Sequence, residues 1–207
     1  MTETDPKERT RRHFNATAED YSNTHDGRFV QPMYAALISE LEEISSGRLL
    51  DIGCGNGDFF ELIKDKGLEL HGVDLAENMV RVARQRYGAI AEIILADAEN
   101  LPYQDGMFDI IICNASFHHY TNPKAVLAQM RRVLKDNGMV LIGDPWLPQP
   151  LRGLMNYFTK YSHEGDYHFY GKKEMKILMA ECGLELISSR RTGRHSILFK
   201  AIPILQR

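Results

Sequence analysis

The chain is 207 residues long and 43% apolar, with 25 Lys and Arg against 28 Asp and Glu for a net charge of −3. That length holds one α/β domain with a sizeable core. The composition excludes a disordered chain, and the balanced charge offers no bulk attraction for nucleic acid. No apolar run is long enough to span a membrane, and residues 1–14 lack the apolar core of a secretory signal. Three cysteines, Cys54, Cys113 and Cys182, have no metal-type spacing. They read as reduced thiols of a cytoplasmic protein.

In chain order, residues 1–12 are charged and are expected to fray. Phe14, Ala18 and Tyr21 then share one helical face, and Gly27 breaks the pattern. A second helix follows, striped by Val30, Met33, Tyr34, Leu37, Ile38 and Leu41. These two helices either pad the sheet or fold over a ligand pocket as a cap. Leu49, Leu50 and Ile52 form a buried strand, glycines recur at 53, 55 and 57, and Phe59, Phe60, Leu62 and Ile63 give a helix stopped by Gly67. Strands are predicted at 68–73, 93–95, 108–113 and 139–142. Helices are predicted at 77–87 and, after the Asn122-Pro123 start, through Leu134. Beyond Asp144, prolines at 145, 148 and 150 break the alternation, and residues 151–170 are rich in aromatics. A helix through Met175, Leu178, Met179 and Cys182, then strands at 184–188 and 197–202 around Gly193, close the chain. The alternating pattern predicts a Rossmann-like α/β fold. Its sheet is mostly parallel and seven-stranded, with one antiparallel strand and helices on both faces.

Strand, glycine turn and helix open a nucleotide-binding α/β domain: glycine admits positive φ and close approach, and the helix N-terminus presents free N–H groups. The loop spacing is Gly-x-Gly-x-Gly, with Asp58 where a dinucleotide site carries its third glycine. That departure disfavours an NAD-linked oxidoreductase. Asp51 before the loop and Asp58 after it suit a ligand bearing positive charge, and no Gly-Lys-Ser/Thr follows to make a phosphate-cradling loop. Ligands bind beyond the carboxyl ends of such strands. Here those ends carry Asp51, Asp74, Asp97 and Asn114. Asp74, placed to accept from vicinal ribose hydroxyls, can equally cap the next helix.

The segments LLDIGCGNGDF (49–59), GVDLAENMV (72–80), ADAENLPYQDGMFDIIICNASFHHY (96–120) and the run 123–143 together resemble class I S-adenosylmethionine-dependent methyltransferases. Within that class they are similar to the small-molecule branch related to quinone-biosynthesis enzymes. The resemblance covers about residues 49–144, roughly half the chain, and implies S-adenosyl-L-methionine as cofactor. It implies that Asp51, with main-chain groups of Gly53, Cys54 and Gly55, holds the methionine amino group. Asp74 would bind the ribose, Leu75 would lie on the adenine, Asp97 and the Ala98 N–H would read the adenine amino edge, and Asn114 would sit by the sulfonium.

The implied chemistry is in-line displacement at the methyl carbon, in which alignment and exclusion of water dominate. A general base is needed only if the acceptor must lose a proton. His118 and His119, just past the fourth strand, are the candidates, with shape or packing as their alternative role. Domain boundaries are expected at 1–45 for a helical cap and 46–207 for the cofactor domain, with an aromatic acceptor lid inserted at about 145–171. Phe14 and Tyr21 are placed to close the pocket. No metal-ligand set is expected, because Ser116-Phe117-His118-His119 supplies no clustered carboxylates. The expected partner is a small-molecule methyl acceptor, with neither nucleic acid nor a membrane span. A non-catalytic S-adenosylmethionine-binding regulator or subunit is the competing reading. The acceptor, the atom methylated and the oligomeric state are not encoded in any motif.

Overall fold

The computed structural model describes residues 5–205. Its centre is a seven-stranded sheet ordered β3-β2-β1-β4-β5-β7-β6. The strands are β1 (Arg48–Ile52), β2 (Glu69–Asp74), β3 (Ala91–Leu95), β4 (Phe108–Asn114), β5 (Leu134–Pro145), β6 (Leu184–Arg191) and β7 (Ser196–Pro203). Pairing is parallel from β3 through β5, and β7 runs antiparallel to both β5 and β6. One strand is therefore reversed, as the closing hairpin predicts. The strand order reverses at β1, which pairs with β2 on one side and β4 on the other. A crevice opens at that point in a doubly wound sheet.

The period-2 alternation of the strands sends successive apolar side chains to opposite faces. Leu49, Ile110, Ile112, Leu141 and Leu198 pack under α2 (His25–Glu40), α3 (Asp58–Ile63) and α4 (Glu77–Tyr87). Leu50, Ile52, Ile111, Cys113, Ile142 and Phe199 face α5 (Pro123–Val133) and α7 (Lys172–Glu181). Burying both faces is what made these strands read as continuous apolar runs.

Four local expectations change. Residues 1–4 lie outside the described residues, but the rest of the stretch expected to fray is helical: α1 spans Pro6–Thr17. Asp5 accepts from the Lys7 N–H, and proline follows at the first helical position. That start signal outweighs the charge density. Gly27 does not separate two helices but sits in the first turn of α2, its N–H capped by Thr24. A Cβ there would lie 2.0 Å from the Tyr21 carbonyl oxygen, so glycine is what lets the 21–23 turn close on the helix. The fifth strand begins at Leu134, because the chain pairs with Phe108 before an irregularity and continues past Asn137-Gly138. Finally, the aromatic segment divides. Phe169 and Tyr170 are buried, whereas Tyr157, Phe158, Tyr161 and Tyr167 are exposed around α6 (Leu151–Phe158).

Candidate functional site

The glycine loop is the first part of the site. Gly53, Gly55 and Gly57 all have positive φ, at 75°, 54° and 82°. The Gly53 and Cys54 N–H groups donate to the Val73 carbonyl at 2.8 and 3.1 Å. The Gly55 N–H donates to Asp74 Oδ2 at 2.9 Å. A Cβ on Gly53 would stand 2.2 Å from Ser116 Oγ. The loop thus passes too close to the end of β4 for any other residue.

Beyond the strand ends lies one cavity, and Asp51, Gly53, Cys54, Gly55, Asp74 and Leu75 line it. Asp97, Ala98, Asn114 and His119 also line it. The structure therefore gathers every sequence-named cofactor residue and one of the two histidines. His118 is not on this wall. Asp58 is not either: it accepts from Ser22 Oγ at 2.5 Å and pairs with Arg86 at 3.2 Å, so its charge is spent on the helix start. The cap over the cavity comes from the N-terminal helices, through Lys7, Thr10, Phe14, Tyr21, Val30 and Tyr34. Residues 145–171, expected as the acceptor lid, contribute nothing to its lining.

The electrostatics are those of a cation site. Asp51 is buried, its Oδ1 has no hydrogen-bond partner, and Asn114 Oδ1 is in the same condition. Burial, then the neighbouring Asp74 carboxylate, pushes Asp51 up to about 7. Burial also raises Asp74, against the backbone N–H groups of Ala76, Gly55 and Leu75 that favour its charged form. Asp74 Oδ1 accepts from the Ala76 N–H at 2.8 Å. Asp74 thus braces the turn before α4 while it also lines the cavity. Asp97 accepts from Lys7 Nζ at 2.5 Å, and Lys7 also reaches Glu99 at 2.9 Å. Ala115, at the mouth of β4, holds φ at 50° although it is not glycine. That is a strained conformation of the kind that collects at functional sites. Ser116 Oγ and Tyr120 Oη lie 2.9 Å apart on the same wall.

The histidine pair occupies a short helical turn, 117–119, after β4. The rings are 4.0 Å apart between centroids, and both are buried. His118 Nδ1 meets Asp144 Oδ1, at the end of β5, at 2.8 Å, and Phe169 stacks on its ring. His119 packs edge-on against Phe14 and leaves Nδ1 without a hydrogen-bond partner. Burial, then the adjacent His118, holds His119 well below the ordinary histidine range, so it is neutral. Asp166, from the loop after α6, approaches both rings. Sequence reading missed Asp166 and Lys7, whose partners are far away in the chain. It also missed Tyr120, whose position four residues after Ser116 was an available signal.

Comparison with known proteins gives the family of the central segment. Residues 50–142 match the family described as a methyltransferase domain. Residues 50–142 are thus a methyltransferase domain of the class I S-adenosylmethionine-dependent kind. The chain is 30% identical over 156 residues to a malonyl-[acyl-carrier protein] O-methyltransferase of Geobacter sulfurreducens, covering 70% of this chain and 58% of that protein. It is 31% identical to a demethylmenaquinone methyltransferase of Thermotoga maritima, covering 66% of this chain and 64% of the relative. The chain thus spans about three fifths of the length of those two relatives. A ubiquinone/menaquinone C-methyltransferase of Burkholderia mallei is 26% identical, with 84% of this chain and 83% of the relative covered. Among solved structures, the PH0226 protein of Pyrococcus horikoshii superposes with a TM-score of 0.71 at 26% identity, covering 90% of this chain and 95% of that one. A Burkholderia thailandensis 1,6-didemethyltoxoflavin N1-methyltransferase, solved with bound 1,6-didemethyltoxoflavin and S-adenosylhomocysteine, shares the fold. Its TM-score is 0.73 at 19% identity, over 95% of this chain and 88% of that one.

Proposed function

We propose that this chain binds S-adenosyl-L-methionine in the cavity at the β1–β4 switch point and transfers its methyl group to a small-molecule acceptor. The observation that carries the reading is the pair of buried, unpartnered acceptors, Asp51 Oδ1 and Asn114 Oδ1, beside a positive-φ glycine loop. A buried acceptor without a donor costs about 1–3 kcal/mol, so such groups persist where a ligand satisfies them. A cationic ammonium, which donates, fits this set of acceptors and a pyrophosphate does not.

In this assignment Asp51 and Asn114 hold the methionine amino group, and main-chain groups of Gly53, Cys54 and Gly55 border it. Asp74 receives the ribose hydroxyls while also fixing the glycine loop. Leu75, Asp97 and the Ala98 N–H frame the adenine. When bound, the cofactor supplies a sulfonium-activated methyl group. The protein's share is then orientation and the exclusion of water by α1 and α2. His119 lines the acceptor side of the cavity and is the one of the two histidines placed there to take a proton. His118 acts on it only as a neighbour, since Asp144 and Phe169 hold its ring away from the cavity. The N-terminal helices take the capping role.

Calorimetric titration with S-adenosylmethionine, S-adenosylhomocysteine and NAD tests the reading. Micromolar binding of the first two and none of NAD is expected, and Asp74→Ala is expected to weaken binding by about 1–3 kcal/mol. Failure of the folded protein to bind either sulfur compound overturns the assignment. Binding without methyl transfer to any member of a panel of phenols, quinols and carboxylic acids favours a regulatory subunit instead.

A further inference from the structure

The histidine turn and the loop after α6 build a second site, which rests on its own geometry and not on the methyl-transfer reading. We infer that His118 Nε2, His119 Nδ1 and Asp166 Oδ1 form a three-ligand site for a divalent transition-metal ion of the zinc or cobalt type. These three side chains offer donor atoms that all lie within 4.8 Å of one another. Asp166 Oδ1 is 3.4 Å from His118 Nε2 and 3.6 Å from His119 Nδ1. Both distances are long for a charge-assisted hydrogen bond, which closes to about 2.7–2.9 Å. Two atoms bound to one tetrahedral ion at about 2.1 Å are instead separated by about 3.4 Å. The spacing is that of a ligand edge.

Each ligand is aimed by something behind it. Asp144 engages His118 through Nδ1 at 2.8 Å, which turns Nε2 toward Asp166. Carboxylate behind histidine is the usual support of a metal-bound imidazole. Ser162 Oγ donates to Asp166 Oδ2 at 2.9 Å, leaving Oδ1 for the histidines. The His118 carbonyl accepts from the Tyr167 and His168 N–H groups at 2.8 and 3.0 Å, which pins the loop to the turn. His119 Nδ1 is the independent sign of a ligand: it is buried, points into this cluster and has no hydrogen-bond partner. Two neutral imidazoles and one carboxylate form a borderline N/O donor set, which suits Zn²⁺ or Co²⁺ better than Mg²⁺ or Ca²⁺. Three protein ligands leave a fourth place for water or another molecule. An ion here uses the lone pair that His119 would otherwise offer as a base, so the two roles exclude each other.

The absence of any metal-type spacing in the sequence is not in conflict with this site, because Asp166 joins from 47 residues beyond His119. A second group, His13, Asp26 and Glu164, lies nearby but is less buried. It supplies the control.

Metal-stripped full-length protein is titrated with Co²⁺ and followed by visible absorption. One equivalent is expected to bind with the intense d–d bands of a tetrahedral ion, and Zn²⁺ is expected to displace it. Asp166→Asn is expected to lose those bands, and Asp144→Asn to weaken Co²⁺ binding by about 10–100-fold. Glu164→Gln is expected to bind as the wild type does. Circular dichroism and melting of each variant confirm that it is folded. Absence of a tetrahedral spectrum in the wild type overturns the inference. So does retention of the full spectrum by folded Asp166→Asn, or its loss in Glu164→Gln instead.

Discussion

Asp51 gives the sharpest test of the cavity's electrostatics. Its carboxyl rises from the ordinary 3.8 to about 7, first through burial and then through Asp74. Between those two values the folded protein holds a proton that the unfolded chain has shed. Stability of the ligand-free protein therefore falls as pH rises through that window, and the full cost of the buried carboxylate is present above about pH 7. At about 1.4 kcal/mol per pH unit, the cost is on the order of 4 kcal/mol. Asp51→Asn removes it. The variant is expected to match the wild type in stability near pH 4 and to exceed it by a few kcal/mol at pH 8, measured by urea unfolding across pH. The titratable groups facing Asp51 are Asp74, Cys54, Tyr34 and Cys113, which the substitution leaves in place. Cofactor binding is expected to respond in the opposite sense. An ammonium needs the ionised carboxylate, so wild-type affinity for S-adenosylmethionine rises up to about pH 7. It declines again as an α-amino group loses its proton near pH 8. Asp51→Asn is expected to bind weakly and without the rising limb. Parallel stability curves for the two proteins would refute the reasoning.

Two further substitutions probe the loop and the clasp. Gly53→Ala places a methyl 2.2 Å from Ser116 Oγ at a φ of 75°, and is expected to cost about 1–3 kcal/mol of stability and to abolish cofactor binding. An unchanged denaturation midpoint would show that the loop relaxes freely. Lys7→Ala removes the links from α1 to Asp97 and Glu99. It is expected to leave global stability within about 1 kcal/mol while speeding dissociation of S-adenosylhomocysteine, read by stopped-flow. An unaltered dissociation rate would show that α1 does not retain the ligand.

The cavity wall along the strand ends was legible because its residues follow the strands. Asp51, Asp74, Asp97 and Asn114 each fall at or just past the end of an apolar run, and a parallel sheet brings all such ends to one edge. Asp58 misled for the same local reason: its position beside the glycines says nothing about Arg86 and Ser22, which claim its charge from another helix and another turn. The aromatic run 151–170 misled because composition does not specify direction. Its exposed rings surround α6, and only its last two aromatics reach the core. Lys7 is 90 residues from Asp97, and Asp144 is 26 from His118. Pairings at such separations are fixed by tertiary packing, which no periodicity reports.

The same packing makes α1 the link between the two parts of the site. None of its residues is fully buried, and Phe14 anchors it on the small apolar cluster of Ala18, Ala76, Met79 and Val82. Polar contacts add to this: Lys7 to Asp97 on one side, Arg11 and Asn15 to Glu77 on α4, and Thr10 Oγ1 to the Gly165 carbonyl on the other. Exposed ion pairs contribute at most about 1 kcal/mol each, whereas the sheet beneath is fixed by the two large core clusters. The local stability of α1 is therefore well below that of the fold. A helix held this way can lift without disturbing β1 or the glycine loop. Because Gly165 lies next to Asp166 and Phe14 lies against His119, its seating also bears on the histidine turn. Closure over the cavity and the seating of the histidine turn then depend on the same few contacts of α1, the polar ones and Phe14, and not on the two large core clusters.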